Sequence, residues 1–151
     1  KLKENEGNIL DGEWVDDVVH GHAKVEYGEG EGYDGMFVSG KFEGRGKRWW
    51  RGGSSYDGEW HRGMRHGEGV FMDNAGNKFT GRWIDDSPPI YGKLVYANGG
   101  IVYEGELKNG KGEGRGKETC PDGSIYEGEW KQGKRHGAGC FTDAKGRVWV
   151  G

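Results

Sequence analysis
The chain has 151 residues, of which 33 are glycine, 31% are charged and only 32% are hydrophobic, too little aliphatic material for a thick core. Its net charge of −3 excludes indiscriminate attraction to nucleic acid or an anionic membrane, which needs a basic surface. No apolar run approaches the roughly 20 residues of a membrane span and no signal-peptide pattern is present; two cysteines are too few for a disulfide framework, which points to a reducing, cytoplasmic compartment.

Aromatics make up 13% of the chain and recur at fixed places. Taken in order, the opening residues are Leu10, Tyr33, Tyr56, Phe79, Tyr103, Tyr126 and Trp149, spaced by 23 residues except for 24 between Phe79 and Tyr103. A fixed period in this range marks an array in which one small unit stacks on the next. Residues 1–9 fit the closing half of a preceding repeat, and complete repeats follow at 10–32, 33–55, 56–78, 79–102, 103–125 and 126–148. Residues 149–151 open a further one, so the sequence reads as a segment of a longer array.

Each repeat opens on a run such as Tyr126-Glu127-Gly128-Glu129-Trp130. Strand periodicity puts Tyr126, Gly128 and Trp130 on one face and the two glutamates on the other. Glycine at about one residue in five rules out helix, because each costs roughly 1 kcal/mol in a helix interior. A glycine or aspartate follows seven positions after the opening residue, at Asp17, Gly40, Gly63, Asp86, Gly110 and Gly133. It marks a hairpin tip, expected to be centred just after it. Trp60 then lies opposite Gly67, Gly58 opposite Gly69 and Tyr56 opposite Phe71. Large rings are thereby seated over residues without side chains, so bulk at Gly67, Gly69, Gly137 or Gly139 should be badly tolerated.

The same register sets Glu106 against Arg115, Glu104 against Lys117 and Asp34 against Lys47, but Glu59 beside Glu68, on a face read as solvated. Turn residues at Ala97-Asn98-Gly99, Pro121-Asp122-Gly123 and Lys145-Gly146 join successive hairpins. The expected fold is all-β: an antiparallel meander, twisting along a ribbon on the order of 60 Å long.

The pattern Tyr-x-Gly-x-Trp, then Gly, Lys/Arg-His-Gly-x-Gly, then Asp/Asn-Gly, resembles the MORN (membrane occupation and recognition nexus) repeat, most closely at 56–78, 103–125 and 126–148. The resemblance implies an elongated, twisted single-layer sheet of hairpins and a binding or scaffolding role in cytoskeletal or membrane-associated assemblies, or beside a catalytic domain elsewhere in a protein. The repeat at 10–32 departs from it with Leu10 and Ala23. The repeat at 79–102 departs with Asp85-Asp86-Ser87-Pro88-Pro89-Ile90, a divergent turn, a bend or a partner-contact loop.

Glycine strings such as Gly110-Lys111-Gly112-Glu113-Gly114 lack phosphate-loop spacing and a following helix. His136, Cys140 and Cys120 do not converge as zinc ligands should. No nucleophile motif surrounds any serine, and no catalytic residue, cofactor, metal or small-molecule substrate is expected. What remains is surface. An aromatic face lined by Tyr33, Phe37, Trp50, Tyr56, Trp60, Phe71, Trp83, Tyr96, Tyr103, Tyr126, Trp130 and Phe141 suits a helix or extended segment of a protein partner, or a second copy of the chain. Alanine at Trp60 and Trp130 should then weaken capture more than charge reversal at Arg65 and Arg135. A second surface is the row of basic tips, with Arg62, Arg65, His66, Lys134 and Arg135 placed for weak contact with anionic lipid headgroups. The expected location is the cytoplasm, at the cytoskeleton or the cytoplasmic face of a membrane.

Overall fold
Alternation of rings and charges with glycine-bearing turns produces strands throughout, and no helix among the described residues. The structure is a computed structural model describing the backbone of residues 8–151 and the side chains from Gly12 onward. The half-repeat expected at 1–9 therefore lies almost entirely outside the described residues. Two units divide the chain, Lys1–Asn74 with Trp83–Ser87, and Ala75–Arg82 with Pro88–Gly151. The first holds β1 (Asn8–Val15), β2 (Val18–Gly28), β3 (Glu31–Val38), β4 (Lys41–Trp49), β5 (Ser55–His61) and β6 (Met64–Met72). The second holds β7 (Lys78–Trp83) up to Arg82, β8 (Tyr91–Val95), β9 (Val102–Lys108), β10 (Lys111–Thr119), β11 (Ile125–Lys131), β12 (Lys134–Thr142) and β13 (Val148–Val150). Within each unit every strand pairs antiparallel with its neighbours in sequence, so each is an open meander of successive hairpins.

The hairpin tips sit one residue earlier than the sequence reading places them. Arg62 (φ 51°) and Gly63 (φ 81°) are both left-handed, as are Ser39-Gly40, Asn109-Gly110, Gln132-Gly133 and the all-aspartate tips Asp16-Asp17 and Asp85-Asp86. Two left-handed residues make the two-residue turn whose twist matches that of the flanking strands. Trp60 consequently faces Arg65, not Gly67, and the register shifts before Gly58 meets Gly69 and Tyr56 meets Phe71 as expected.

The shift is a bulge with a defined chemical basis. Gly67 is left-handed (φ 83°), and a Cβ there would approach the Glu59 carboxylate to 2.5 Å. That carboxylate accepts the Glu68 N–H at 2.6 Å. Glu106 accepts the Arg115 N–H at 2.5 Å and Glu129 the Ala138 N–H at 2.6 Å, each beside a left-handed glycine, Gly114 and Gly137. The Glu59–Glu68 and Glu106–Arg115 neighbours are thus held by carboxylate-to-amide bonds, whereas Glu104–Lys117 and Asp34–Lys47 pair in register as expected. Glu59→Ala should cost about 1.5 kcal/mol, the low end for an exposed hydrogen bond to a charged group, and speed hydrogen exchange at the Glu68 amide. Glu59→Gln, which keeps an acceptor, should restore most of that protection.

The rings lie on the glycines. A Cβ on Gly69 would fall inside the Tyr56 ring, and the same holds for Gly46 with Tyr33, Gly116 with Tyr103 and Gly139 with Tyr126. Each hydroxyl reaches along its own strand to donate to a backbone carbonyl: Tyr33 to Met36 at 2.9 Å, Tyr56 to Glu59 at 3.0 Å, Tyr103 to Glu106 at 2.6 Å and Tyr126 to Glu129 at 3.2 Å. The tryptophans fasten one repeat to the one before. Trp60 Nε1 donates to the Gly46 carbonyl at 2.9 Å and Trp130 Nε1 to that of Gly116 at 3.0 Å.

In the degenerate first repeat, Ala23 is fully buried between Gly12 and Gly35. The Asp-Asp tip of the divergent repeat keeps the two-residue turn, with Ile84 and Ser87 bonded to each other. In the second unit Pro89 packs against Gly81 and is buried.

Candidate functional site: an aromatic groove
The twelve rings expected on one face separate into two groups. Tyr33, Phe37, Tyr56, Trp60, Trp83, Tyr103, Tyr126 and Trp130 are buried within their units. Trp50, Phe71, Tyr96 and Phe141 are half-exposed. The buried rings meet edge-on, as their quadrupoles favour. Trp60 lies 5.0 Å from Tyr56 at 84° and 5.8 Å from Tyr33 at 79°, and Trp130 lies 4.9 Å from Tyr103 at 81°. Phe42, missing from the sequence-based set, stacks on Tyr33 at 3.9 Å and meets Trp60 at 5.1 Å.

In the first unit the half-exposed rings border a shallow groove of about 460 Å³, lined by Phe42, Arg48, Trp50, Trp60, Arg65, Phe71 and Asp86 among others. Trp50 and Phe71 stand 6.1 Å apart across it. Two arginines are fixed at its margin. Arg48 donates to the Gly32 and Trp49 carbonyls and to Glu31, with its guanidinium 5.3 Å from the Trp50 ring centre. Arg65 bonds Asp86 at 3.1 Å and lies 4.4 Å over Trp83. The groove therefore offers preorganised apolar faces and oriented cations, the residue types that anchor protein interfaces.

The basic tips are less available than their sequence suggests. Arg65 lies directly opposite Trp60 and Arg135 opposite Trp130, on the face of the rings. Arg135 bonds Glu118 at 2.5 Å and covers Tyr126 at 4.9 Å and Phe141 at 5.3 Å. His66 lies 3.4 Å from the Asp85 carboxylate, while Arg62 and Lys134 are exposed. The tips are also stitched to the preceding hairpin, Gly63 N–H donating to the Phe42 carbonyl at 2.9 Å and Gly133 N–H to that of Gly112 at 2.9 Å.

Burial pushes the tyrosine hydroxyls up, Tyr56 and Tyr103 to about 12, and Tyr33 and Tyr96 in the same direction. An unfolded tyrosine ionises near 10. The folded state thus keeps these protons longer, and their contribution is complete below pH 10 and lost as pH rises from about 10 toward 12. Thermal stability should be flat through neutral pH and fall across that window. Loss should coincide with the rise of tyrosinate absorbance, and a melting temperature constant to pH 12 would contradict it.

No curated protein matches this chain. The family model for the MORN repeat matches at 11–31, 33–55, 56–78, 103–125 and 126–146. It leaves out the divergent stretch 79–102, where Arg82 and Ile90 replace the glutamate and glycine of the bulge. The matched segments span most of the sequence, and four of the five are the hairpins whose tyrosines rest on glycine. This chain belongs to the MORN repeat family.

Proposed function
We propose that this chain is a non-catalytic scaffold segment that holds a helix or extended segment of a partner protein in the groove of its first unit, within a cytoplasmic assembly at the cytoskeleton or a membrane. The observation that carries this reading is the pairing of half-exposed Trp50 and Phe71 with two immobilised arginines. A family of interaction repeats supplies the context. Ring anchors with few rotatable bonds cost little entropy on binding, and arginines already held in place cost little more.

Trp60 and Trp130 are buried, so alanine there would disturb the fold as well as any surface. Trp50 and Phe71 replace them as the test. With the chain immobilised and partners captured from cell extract, Trp50→Ala and Phe71→Ala should each lower capture at least about tenfold, the scale of an anchor residue, with unchanged circular dichroism. Arg62→Glu and Lys134→Glu should leave capture intact.

A lipid-targeting role is supported only by the exposure of Arg62 and Lys134. It would be favoured instead by salt-sensitive pelleting with phosphoinositide vesicles that the Arg62→Glu and Lys134→Glu substitutions abolish.

A further inference from the structure
On the face of the second unit opposite the rings, two straight rows cross strands β8 to β11. One row is Lys93–Glu104–Lys117–Glu127, and the other is Val95–Val102–Thr119–Ile125. The charged row is exposed and the second row half-buried. Among the described residues none of these four charges closes an ion pair within its own chain, although each faces an opposite charge in register. The row borders a groove of about 560 Å³ with Tyr91, 65% exposed, at its edge. In the first unit the equivalent row Lys24–Asp34–Lys47–Asp57 is already partly closed, since Asp34 pairs with His22 at 2.9 Å.

We propose that this face of the second unit binds the same face of a second copy of the chain. The argument is symmetry. An alternating row with an even number of charges is its own complement under a two-fold axis parallel to the strands and midway between β9 and β10. That operation sets Lys93 against Glu127 of the second copy and Glu104 against Lys117 of the second copy, each pair occurring twice. It also lays the apolar row on its own image, Val95 against Ile125 and Val102 against Thr119. An isologous contact demands this self-complementarity, whereas a foreign partner would not. Sheets packed face to face lie about 10 Å apart, within reach of a lysine and a glutamate extended toward each other. A patch four strands wide is smaller than the roughly 800 Å² per partner of a standard interface, so the association is weak and concentration-dependent. The ringed groove belongs to the first unit and shares no residue with this row, so partner capture there is read separately from this contact.

Sedimentation equilibrium of the purified chain from about 10 μM to 1 mM should show a reversible monomer–dimer equilibrium, weakened by high salt as charge pairs are. Lys117→Glu and Glu104→Lys should each weaken self-association about tenfold or more, because like charges then face each other. Mixing the two variants should restore a dimer of one with the other, since each mixed pair is again opposite in charge. The double variant Glu104→Lys/Lys117→Glu should dimerise by itself. Circular dichroism and melting of each variant check that it is folded. A monomer at every concentration, a dimer indifferent to both single substitutions, or no recovery on mixing folded variants overturns the proposal. Loss of association through Trp50→Ala alone would do so too, by moving the contact to the groove of the first unit.

Discussion
Gly69→Val is expected to destabilise the chain by about 3 kcal/mol, at the upper end of overpacking effects in well-packed interiors. The new Cβ would fall inside the Tyr56 ring, which has no route of escape. Tyr56 is fully buried, tied to the Glu59 carbonyl at 3.0 Å and flanked by Trp60 at 5.0 Å and Trp83 at 5.4 Å. Relief requires either breaking that bond and moving three rings, or opening the β5–β6 hairpin. The branched side chain would also crowd Gly58, which lies directly opposite across the pair. In a repeat array the loss spreads to the neighbouring repeat interfaces. Melting should drop by about 10 °C for a domain of this size; an unchanged melting temperature would show that the ring is not bedded on this glycine.

Trp60→Ala carries the second large effect, about 3–5 kcal/mol as for other buried tryptophans. Its ring contacts Tyr33, Phe42 and Tyr56, and its Nε1–H satisfies the Gly46 carbonyl of the preceding repeat. Truncation leaves a cavity and an unmet acceptor in one step. Trp50→Ala, at a half-buried ring, should cost about 2 kcal/mol or less, because part of its area stays in contact with water and its removal opens no closed cavity. Urea unfolding separates the two. Similar midpoints for both variants would mean that the division into cementing rings and groove rings is wrong.

That division was not legible in the sequence, although the face was. Period-two alternation places Tyr56, Gly58 and Trp60 together, and the recurrence of the pattern identifies the hairpin and its glycines. Exposure depends on what stands beside a ring, however. Tyr56 and Trp60 are enclosed by rings of adjacent hairpins, whereas Trp50 and Phe71 stand at the end of the hairpin near the loop that leads into the next repeat.

The tip was misplaced by one residue for a related reason. Arginine, serine or glutamine in a left-handed turn position leaves no mark in a sequence, while the glycine after it does. The bulge hid itself, because its extra residues restored Gly58 to Gly69, the register that counting gives. A signal was nonetheless present. Glu59 comes with Gly67, Glu106 with Gly114 and Glu129 with Gly137, while Arg82 comes with Ile90. The glycine bulge can stand without the carboxylate, as at Gly44 with Met36, but in these three repeats the carboxylate comes with the glycine eight residues later and marks the amide it accepts from.

The most direct test of the ring-on-glycine arrangement is a double-mutant cycle between Tyr56 and Gly69, read by equilibrium unfolding. Gly69→Ala in the native chain should cost about 2 kcal/mol, since even one methyl group meets the ring. In a Tyr56→Leu background the same substitution should become nearly neutral, giving a coupling on the order of 1–2 kcal/mol. Equal costs for Gly69→Ala with and without the ring would contradict the seating of tyrosine on bare backbone.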